Sequence, residues 1–366
     1  MIWYLLNIAI MTLVWFWPVR EYAQSGLLYT AEEQNRIRRK RFCIIATFNW
    51  IILSGCRARW VGADTQAYGF IFERTAMKSW NDILGDFIAK YWHGADIKDP
   101  GYPLLEKIFQ IFSTNYQAFL MAIAVLFFVM MGIFIYKYST QPYVSFVLFS
   151  CLFYSFFAIT GHRQTIATAF VSFLGIEFIR KRKLIPFLVI VLLSSTVHKS
   201  VIGFIPFYFI YRIKINNLTL LFYWIGIIIA FIFRYQLLEF LQLLVGYESY
   251  QDYEGAGAGT FLYMLLLIGV LATVFYKPLI RYGGEMMQPS INALMVACFF
   301  SPLLLINPSL MRIVQYYSLF LLLLLPEFAV IFKTRFDQNI FHTACCIALI
   351  FLMTIQRPSY AFFFWG

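Results

Sequence analysis

The chain has 366 residues, of which 61% are hydrophobic, 20% aromatic and 13% charged. A soluble domain is roughly half apolar and about a quarter charged, so this chain cannot cover a core with polar surface and requires lipid around it. Its formal charge of +11 is spread over short connections with no basic soluble domain, which excludes nucleic acid as a partner. Segments of about ten residues with alternating polarity are absent, which excludes an outer-membrane barrel.

In chain order, Met1 to Trp17 lacks the basic start and small-residue cleavage site of a signal peptide, and Trp15, Trp17 and Pro18 close it. It reads as a retained first helix. Next come Arg20 and the run RIRRKR from Arg36 to Arg41. Later short connections hold Lys137, RKRK from Arg180 to Lys183, Arg212 with Lys214, Lys277 with Arg281, and Lys333 with Arg335. Lys and Arg in short loops stay on the cytoplasmic side, where they suit an anionic leaflet. Apolar runs such as Phe119 to Tyr136 and Leu218 to Phe233 approach the ~20 residues that cross a bilayer.

The pattern predicts an all-α, polytopic membrane protein with about twelve transmembrane helices and both termini outside. The spans fall near 2–18, 42–56, 116–136, 142–160, 161–179, 184–198, 200–211, 218–233, 260–276, 290–306, 313–331 and 339–356. One long tilted helix fits 184–211 as well as two short ones. Basic groups at both ends favour two, with Pro206 breaking the second. Residues 1–366 form a single membrane domain with an extracytoplasmic segment at 57–115 and an outer loop at 234–259. That loop carries Tyr247, Tyr250, Asp252, Tyr253 and Glu254 before GAGAG, a set that suits sugar stacking or a flexible loop equally. The six cysteines lie mostly in apolar runs without metal-ligand spacing and are expected to pack as small hydrophobes.

This topology gathers cations on the outer face, against the charge rule. His162, Arg163 and Gln164 stand in FAITGHRQTIATAF, where the fourth span ends and the fifth begins. Arg57, Arg59 and Asp64 follow the second span in RARWVGADTQAY; His198 and Lys199 follow the sixth, and Arg312 opens the eleventh. Arg163 and Arg312 fall in first helical turns, whose unpaired N–H groups and dipole disfavour a cation unless an anion is bound. A helix N-terminus with arginine suits phosphate, and a lipid-borne diphosphate is the natural anion at that depth. Blander readings stand beside these. Arg57, Arg234 and Arg357 suit snorkelling to headgroups, Asp64 suits a helix cap, and His93 and His342 suit structural or surface positions.

At three motifs the chain resembles the EpsG family of Wzy-like polysaccharide polymerases. They are RARWVGADTQAY (with Arg57, Val61, Gly62, Asp64, Thr65 and Tyr68), RQTIA from Arg163 to Ala167, and HKS from His198 to Ser200. A Gly-Tyr-x-Leu-Leu step, DPGYPLL from Asp99 to Leu105, lies between the first two. The family often has an acid directly before that step, whereas here Pro100 follows Asp99. The resemblance implies a fold related to the C-type membrane glycosyltransferases, in the bacterial cytoplasmic membrane with an extracytoplasmic site. It implies a polymerase that joins polyprenyl-diphosphate-linked oligosaccharide repeats, with membrane lipids and the pathway's flippase and chain-length regulator as partners. Tyr68, Asp99 and Tyr102 enter the site by the same resemblance.

The reaction needs cations to stabilise the departing diphosphate and a base near the acceptor hydroxyl. No Asp-x-Asp pair occurs, so arginines, whose forked donors match phosphate oxygens, are expected to replace a metal; no cofactor is expected. Arg163 and Arg312 are assigned to the diphosphate, with Arg57, Arg59 and Lys199 assisting. Asp64 and His198 both remain open as the base. The rivals are a flippase of lipid-linked sugars, a surface-glycan ligase and a membrane acyltransferase. Polar residues on one face without a repeat argue against a transporter.

The topology predicts that a cysteine at Lys181 resists an impermeant thiol reagent in intact cells while one at Glu248 reacts. Reversed labelling would overturn the sidedness.

Overall fold

The computed structural model describes residues 1–19, 30–245 and 259–365. Among the described residues every regular element is helical, and the one extended pairing is an isolated bridge between Arg57 and Phe362. Lipid offers backbone groups no partners, so helices that satisfy themselves are the form this composition dictates. Tyr116–Tyr138, Met287–Leu305 and Arg335–Gln356 are each long and apolar enough to cross a membrane. Three further candidates are helix pairs bent at a break: Asn217–Ile232 with Arg234–Leu243 by 88°, Gly259–Val274 with Tyr276–Tyr282 by 73°, and Met311–Ser318 with Leu321–Ile331 by 50°. Ile2–Phe16, Pro142–Phe153, Leu184–Val197 and Lys199–Ile210 are shorter apolar helices. The 184–211 region is therefore two pieces, broken at His198, whose backbone is extended (φ −153°).

The described chain forms two units, residues 1–169 with 340–366, and residues 170–339. In the first, α1 (Ile2–Phe16) packs on α2 (Ala31–Gly55), and α2 runs along α6 (Tyr116–Tyr138). A capping box starts α2, in which the Thr30 hydroxyl accepts from Glu33 N–H and Glu33 accepts from Thr30 N–H, satisfying otherwise orphan donors. Trp50 sits at the centre of the packing with no exposed surface. Its ring stacks on Phe128 at 5.5 Å, and its indole N–H donates to the Ser150 hydroxyl at 3.2 Å.

Residues 57–115 hold three short helices, α3 (Thr65–Met77), α4 (Trp80–Trp92) and α5 (Gly101–Gln110). Lys107 on α5 donates to the carbonyls of Thr75, Ala76 and Lys78, placing a cation on the negative end of α3. Gln110 donates to the Phe72 carbonyl at 2.7 Å, so α3 and α5 are tied at two levels. After α6 come α7 (Pro142–Leu148), two π-helical stretches (Phe149–Phe153 and Ser155–Thr160), and α8 (His162–Thr168).

In the second unit the helix Met287–Phe300 is buried along most of its length. Asn292, with no exposed surface, donates to the carbonyls of Ile210 (3.0 Å) and Ile213 (2.9 Å) and accepts from the Tyr223 hydroxyl (3.0 Å). One amide thereby pins three elements. The six cysteines are free thiols. Arg20 and the run Tyr247, Tyr250, Asp252, Tyr253 and Glu254 lie outside the described residues.

Removing the central ring tests this packing. Trp50→Ala should lower the unfolding free energy of the detergent-solubilised protein by about 3–5 kcal/mol, the usual loss for a buried aromatic. An unchanged denaturation midpoint would show that α2, α6 and the Phe149–Phe153 stretch do not share one core.

Candidate functional site

The site in the first unit begins where α2 stops. Beyond Gly55 the chain pairs with the C-terminal segment: Ala58 N–H donates to the Ala361 carbonyl (2.8 Å) and Phe363 N–H to the Cys56 carbonyl (2.9 Å). The Tyr360 hydroxyl adds a bond to the Leu53 carbonyl at 2.9 Å. This cover leaves Arg57 only 2% exposed. Its guanidinium donates to the Ser54 carbonyl, and Nη2 lies 2.7 Å from His162 Nε2. No carboxylate is paired with it among the described residues. Burial pulls its pKa down to about 10, still high enough to keep it charged at neutral pH. Snorkelling therefore does not describe Arg57.

An arginine only donates, so His162 Nε2 accepts and the ring proton belongs on Nδ1. The imidazole stacks on Tyr68, with ring centres 4.5 Å apart and planes at 19°. The Tyr68 hydroxyl in turn accepts from Arg163 Nε at 3.2 Å. Arg163 Nη1 donates to Asp99 Oδ2 at 3.0 Å, and its guanidinium lies 5.5 Å from the Tyr68 ring and 5.8 Å from the Tyr102 ring. Arg57, His162, Tyr68, Arg163, Asp99 and Tyr102 thus form one connected group. Its two ends differ: Arg57 is sealed, whereas the Arg163 side chain keeps 23% exposure.

The RARWVGADTQAY residues divide by role. Gly62 has φ +100°, and a Cβ there would lie 2.7 Å from the Ile159 side chain; only glycine fits both demands. Thr65 is fully buried and donates to the Ile159 carbonyl at 3.0 Å, while its own carbonyl accepts from the Tyr116 hydroxyl at 2.6 Å. These bonds hold α3 against the start of α8 and so place Tyr68 over His162. Asp64 is exposed and occupies the N-cap of α3 without a side-chain cap bond. Arg59 pairs with Glu73 at 2.6 Å, half-exposed.

Backbone irregularity brackets the same place. The π stretches Ser155–Thr160 and Ala169–Leu174 flank α8, and such bulges are frequent at functional sites. Gly161 N–H reaches back to the Phe156 carbonyl at 2.8 Å. Gln164 is buried on α8. Asp99 adopts φ +47°, a left-handed conformation uncommon for a residue with a side chain.

In the second unit His198 is buried at the break after Leu184–Val197, and Lys199 opens the 3-10 turn Lys199–Phe204. The Ser200 hydroxyl lies 3.1 Å from that of Tyr316, and the Tyr317 hydroxyl donates to the Gly203 carbonyl at 2.6 Å. The HKS motif thus packs on the helix Met311–Ser318, whose first turn carries Arg312.

The EpsG family model matches residues 40–365. The chain belongs to the EpsG family. This is a family of Wzy-like polysaccharide polymerases, whose activity is a glycosyltransferase-type reaction in the membrane. No curated protein and no solved structure matches the chain. The family match spans every motif residue named above, in both units.

Sequence reasoning missed two acids at this candidate site. Glu73 is the partner of Arg59. Glu106 has no exposed surface; its Oε2 accepts from the Thr75 hydroxyl at 2.8 Å, and Oε1 has no hydrogen-bond partner. The signal was available, since Glu106 lies one helical turn after Tyr102 and so shares its face. Burial raises its pKa from the usual 4.5 to about 7, partly offset by the hydroxyls of Thr75 and Tyr102 and by Arg163.

Because the folded pKa is raised, the stabilising contribution is full below about pH 4.5 and is lost as pH rises toward 7. Wild-type stability should therefore fall across that window, whereas Glu106→Gln should be flat and the more stable variant by a few kcal/mol at pH 8. Parallel pH profiles of the unfolding midpoint would show that Glu106 is ionised throughout.

Proposed function

We propose that this EpsG-family chain joins polyprenyl-diphosphate-linked oligosaccharide repeats into a surface polysaccharide on the outer face of the bacterial cytoplasmic membrane. The observation that carries the reading is the Arg57–His162–Tyr68–Arg163 group. A sealed cation without a carboxylate is connected through two rings to a second cation that reaches solvent. A diphosphate supplies the missing negative charge. The bonds to Tyr68 and Asp99 occupy two of the five donors on the Arg163 fork, and the others are assigned to phosphate oxygens of the leaving group. Those donors stabilise charge as it develops without a bound metal.

Arg59, Gln164, Tyr102 and Asp99 shape the site around Arg163, Asp99 by holding the fork in orientation. The candidate bases are Asp64, which stands exposed at the head of α3, and His198 of the second unit. Lys199 and Arg312 are proposed anion contacts of that unit. The twelve-span topology, the single membrane domain with its segments at 57–115 and 234–259, and the kinship with C-type membrane glycosyltransferases belong to the same proposal. So do the pathway's flippase and chain-length regulator as partners.

Purified protein with lipid-linked repeats should lengthen them in EDTA with no nucleotide sugar added. Strict dependence on added Mg²⁺ would defeat the role given to the arginines. Arg163→Lys keeps the charge and the Asp99 pair but loses the fork, so polymer output should fall roughly 10²–10³-fold at unchanged protein level. Activity close to wild type would leave Arg163 as a structural cation.

Asp64→Asn and His198→Ala separate the candidate bases. One should lose chain extension by roughly 10²–10⁴-fold while retaining donor binding, and the other should lose much less. Full activity in both would move the base elsewhere, with Asp99 next to be tested.

A further inference from the structure

A second place in the first unit suits a ligand, at the opposite ends of α2 and α6 from the Arg57 group. Lys40, Cys43, Ile44, Thr47, Phe48 and Ile51 of α2, with Val129, Gly132, Ile133 and Tyr136 of α6, line a groove of about 400 Å³. At its floor the helices meet closely, since a Cβ on Gly132 would overlap the Thr47 hydroxyl. Its rims are apolar side chains left open: Ile44, Phe48 and Ile133 are each more than half exposed.

The groove has a depth and a polar end. From Lys40 to Ile51 a helix rises about 16 Å at ~1.5 Å per residue, which is the depth of one leaflet in a ~30 Å hydrocarbon core. Tyr136 also lines a neighbouring polar cleft of about 690 Å³ formed with Thr30, Glu32, Glu33, Asn35, Arg36, Arg39 and Lys137. Among the described residues, the cations around this mouth are Arg36, Arg39, Lys40 and Lys137, against the acids Glu32 and Glu33. Glu33 is already engaged in the Thr30 cap. Arg39 donates to the carbonyls of Tyr136 (3.0 Å) and Ser139 (2.7 Å), which neutralise no charge. The mouth is therefore net positive and the trough beneath it apolar.

We propose that this groove and cleft hold one anionic phospholipid of the cytoplasmic leaflet. One acyl chain lies along Lys40 to Ile51 and Val129 to Tyr136, and the phosphate is held by Arg36, Lys40 and Lys137. Charge complementarity selects this occupant over a zwitterionic lipid, because basic pockets between helices on the cytoplasmic side recognise anionic headgroups. The acyl-length trough selects a lipid over a soluble anion. The site is separate from the polymerase reaction and does not depend on it.

The test titrates delipidated protein with phosphatidylglycerol or phosphatidylcholine and counts bound lipid by native mass spectrometry. Wild type should take up the first phosphatidylglycerol at a concentration about tenfold lower than phosphatidylcholine. The triple variant Arg36→Gln, Lys40→Gln, Lys137→Gln should bind the two lipids alike. Val129→Trp, which fills the trough, should abolish the tightly held lipid. Lys333→Gln with Arg335→Gln removes cations from a different basic loop and should leave the preference intact. Equal binding of both lipids by wild type, an unaltered preference in the triple variant, or an equal loss in the Lys333 and Arg335 control would each overturn the proposal.

Discussion

A guanidinium withdrawn from water, with no carboxylate paired to it among the described residues, is the constraint around which the first unit is arranged. Removing a charge from water costs several kcal/mol even after relaxation, and Arg57 is almost fully enclosed. What offsets this is a set of partners drawn from distant parts of the chain. Ser54 supplies a carbonyl at the end of α2, and His162 a ring nitrogen at the start of α8. The residues on either side of Arg57 are locked by backbone bonds to Ala361 and Phe363. The last residues of the chain are therefore part of the site's architecture, although they carry none of its chemistry.

The same arrangement sorts the polar residues into those that hold and those that act. His162 spends its Nε2 lone pair on Arg57, so that nitrogen cannot also take a proton from a sugar hydroxyl. Its ring instead sets the plane on which Tyr68 lies, and Tyr68 sets the position of Arg163. Thr65, Tyr116 and Gly62 fix α3 so that this stack forms. Asp64, one residue before α3, makes none of these bonds and stands in water. Of the acids in its motif and in DPGYPLL, Asp64 has a free carboxylate, while Asp99 is committed to Arg163.

The sequence made the membrane class legible because hydropathy and loop charge are sums over many residues, and such sums survive local error. It also brought forward Arg57, Tyr68, Asp99, Tyr102, His162 and Arg163, which the fold joins into one group. It could not show how they differ. Whether an arginine snorkels or is sealed depends on what covers it, and Arg57 is covered by residues some three hundred positions away. The anion required near Arg163 by its first-turn position proves to include Asp99 of the chain itself, brought there by a left-handed backbone. Glu106 was passed over because an acid on a short polar helix looks solvated until α3 packs on it through Thr75. The helix breaks were legible only in part: the bends of 88° and 73° fall at Phe233 and Phe275, where apolar runs give way to Arg234 and Lys277, whereas the 50° bend at Leu319 and Phe320 lies inside a continuous apolar run, where hydropathy carries no information about direction.

The contrast between the two arginines bears on how the proposed diphosphate site would exchange its anion. In the resting chain Asp99 neutralises Arg163 from one side only, with a single bond to Nη1. A diphosphate brings more charge and can engage two parallel donors, a geometry roughly twice as strong as a neutral hydrogen bond and matched to the guanidinium fork. It can therefore join Asp99 at Arg163 without first removing it, so the fork keeps its orientation as the ligand arrives. Arg57 lies under a backbone-bonded cover, and on the proposed reading its charge is a fixed positive background behind Arg163. On the proposed reading, a sealed cation behind a partly exposed one holds a leaving diphosphate while it forms. On that reading the product lipid leaves while the Asp99 bond to Arg163 persists, so the fork stays oriented for the next donor.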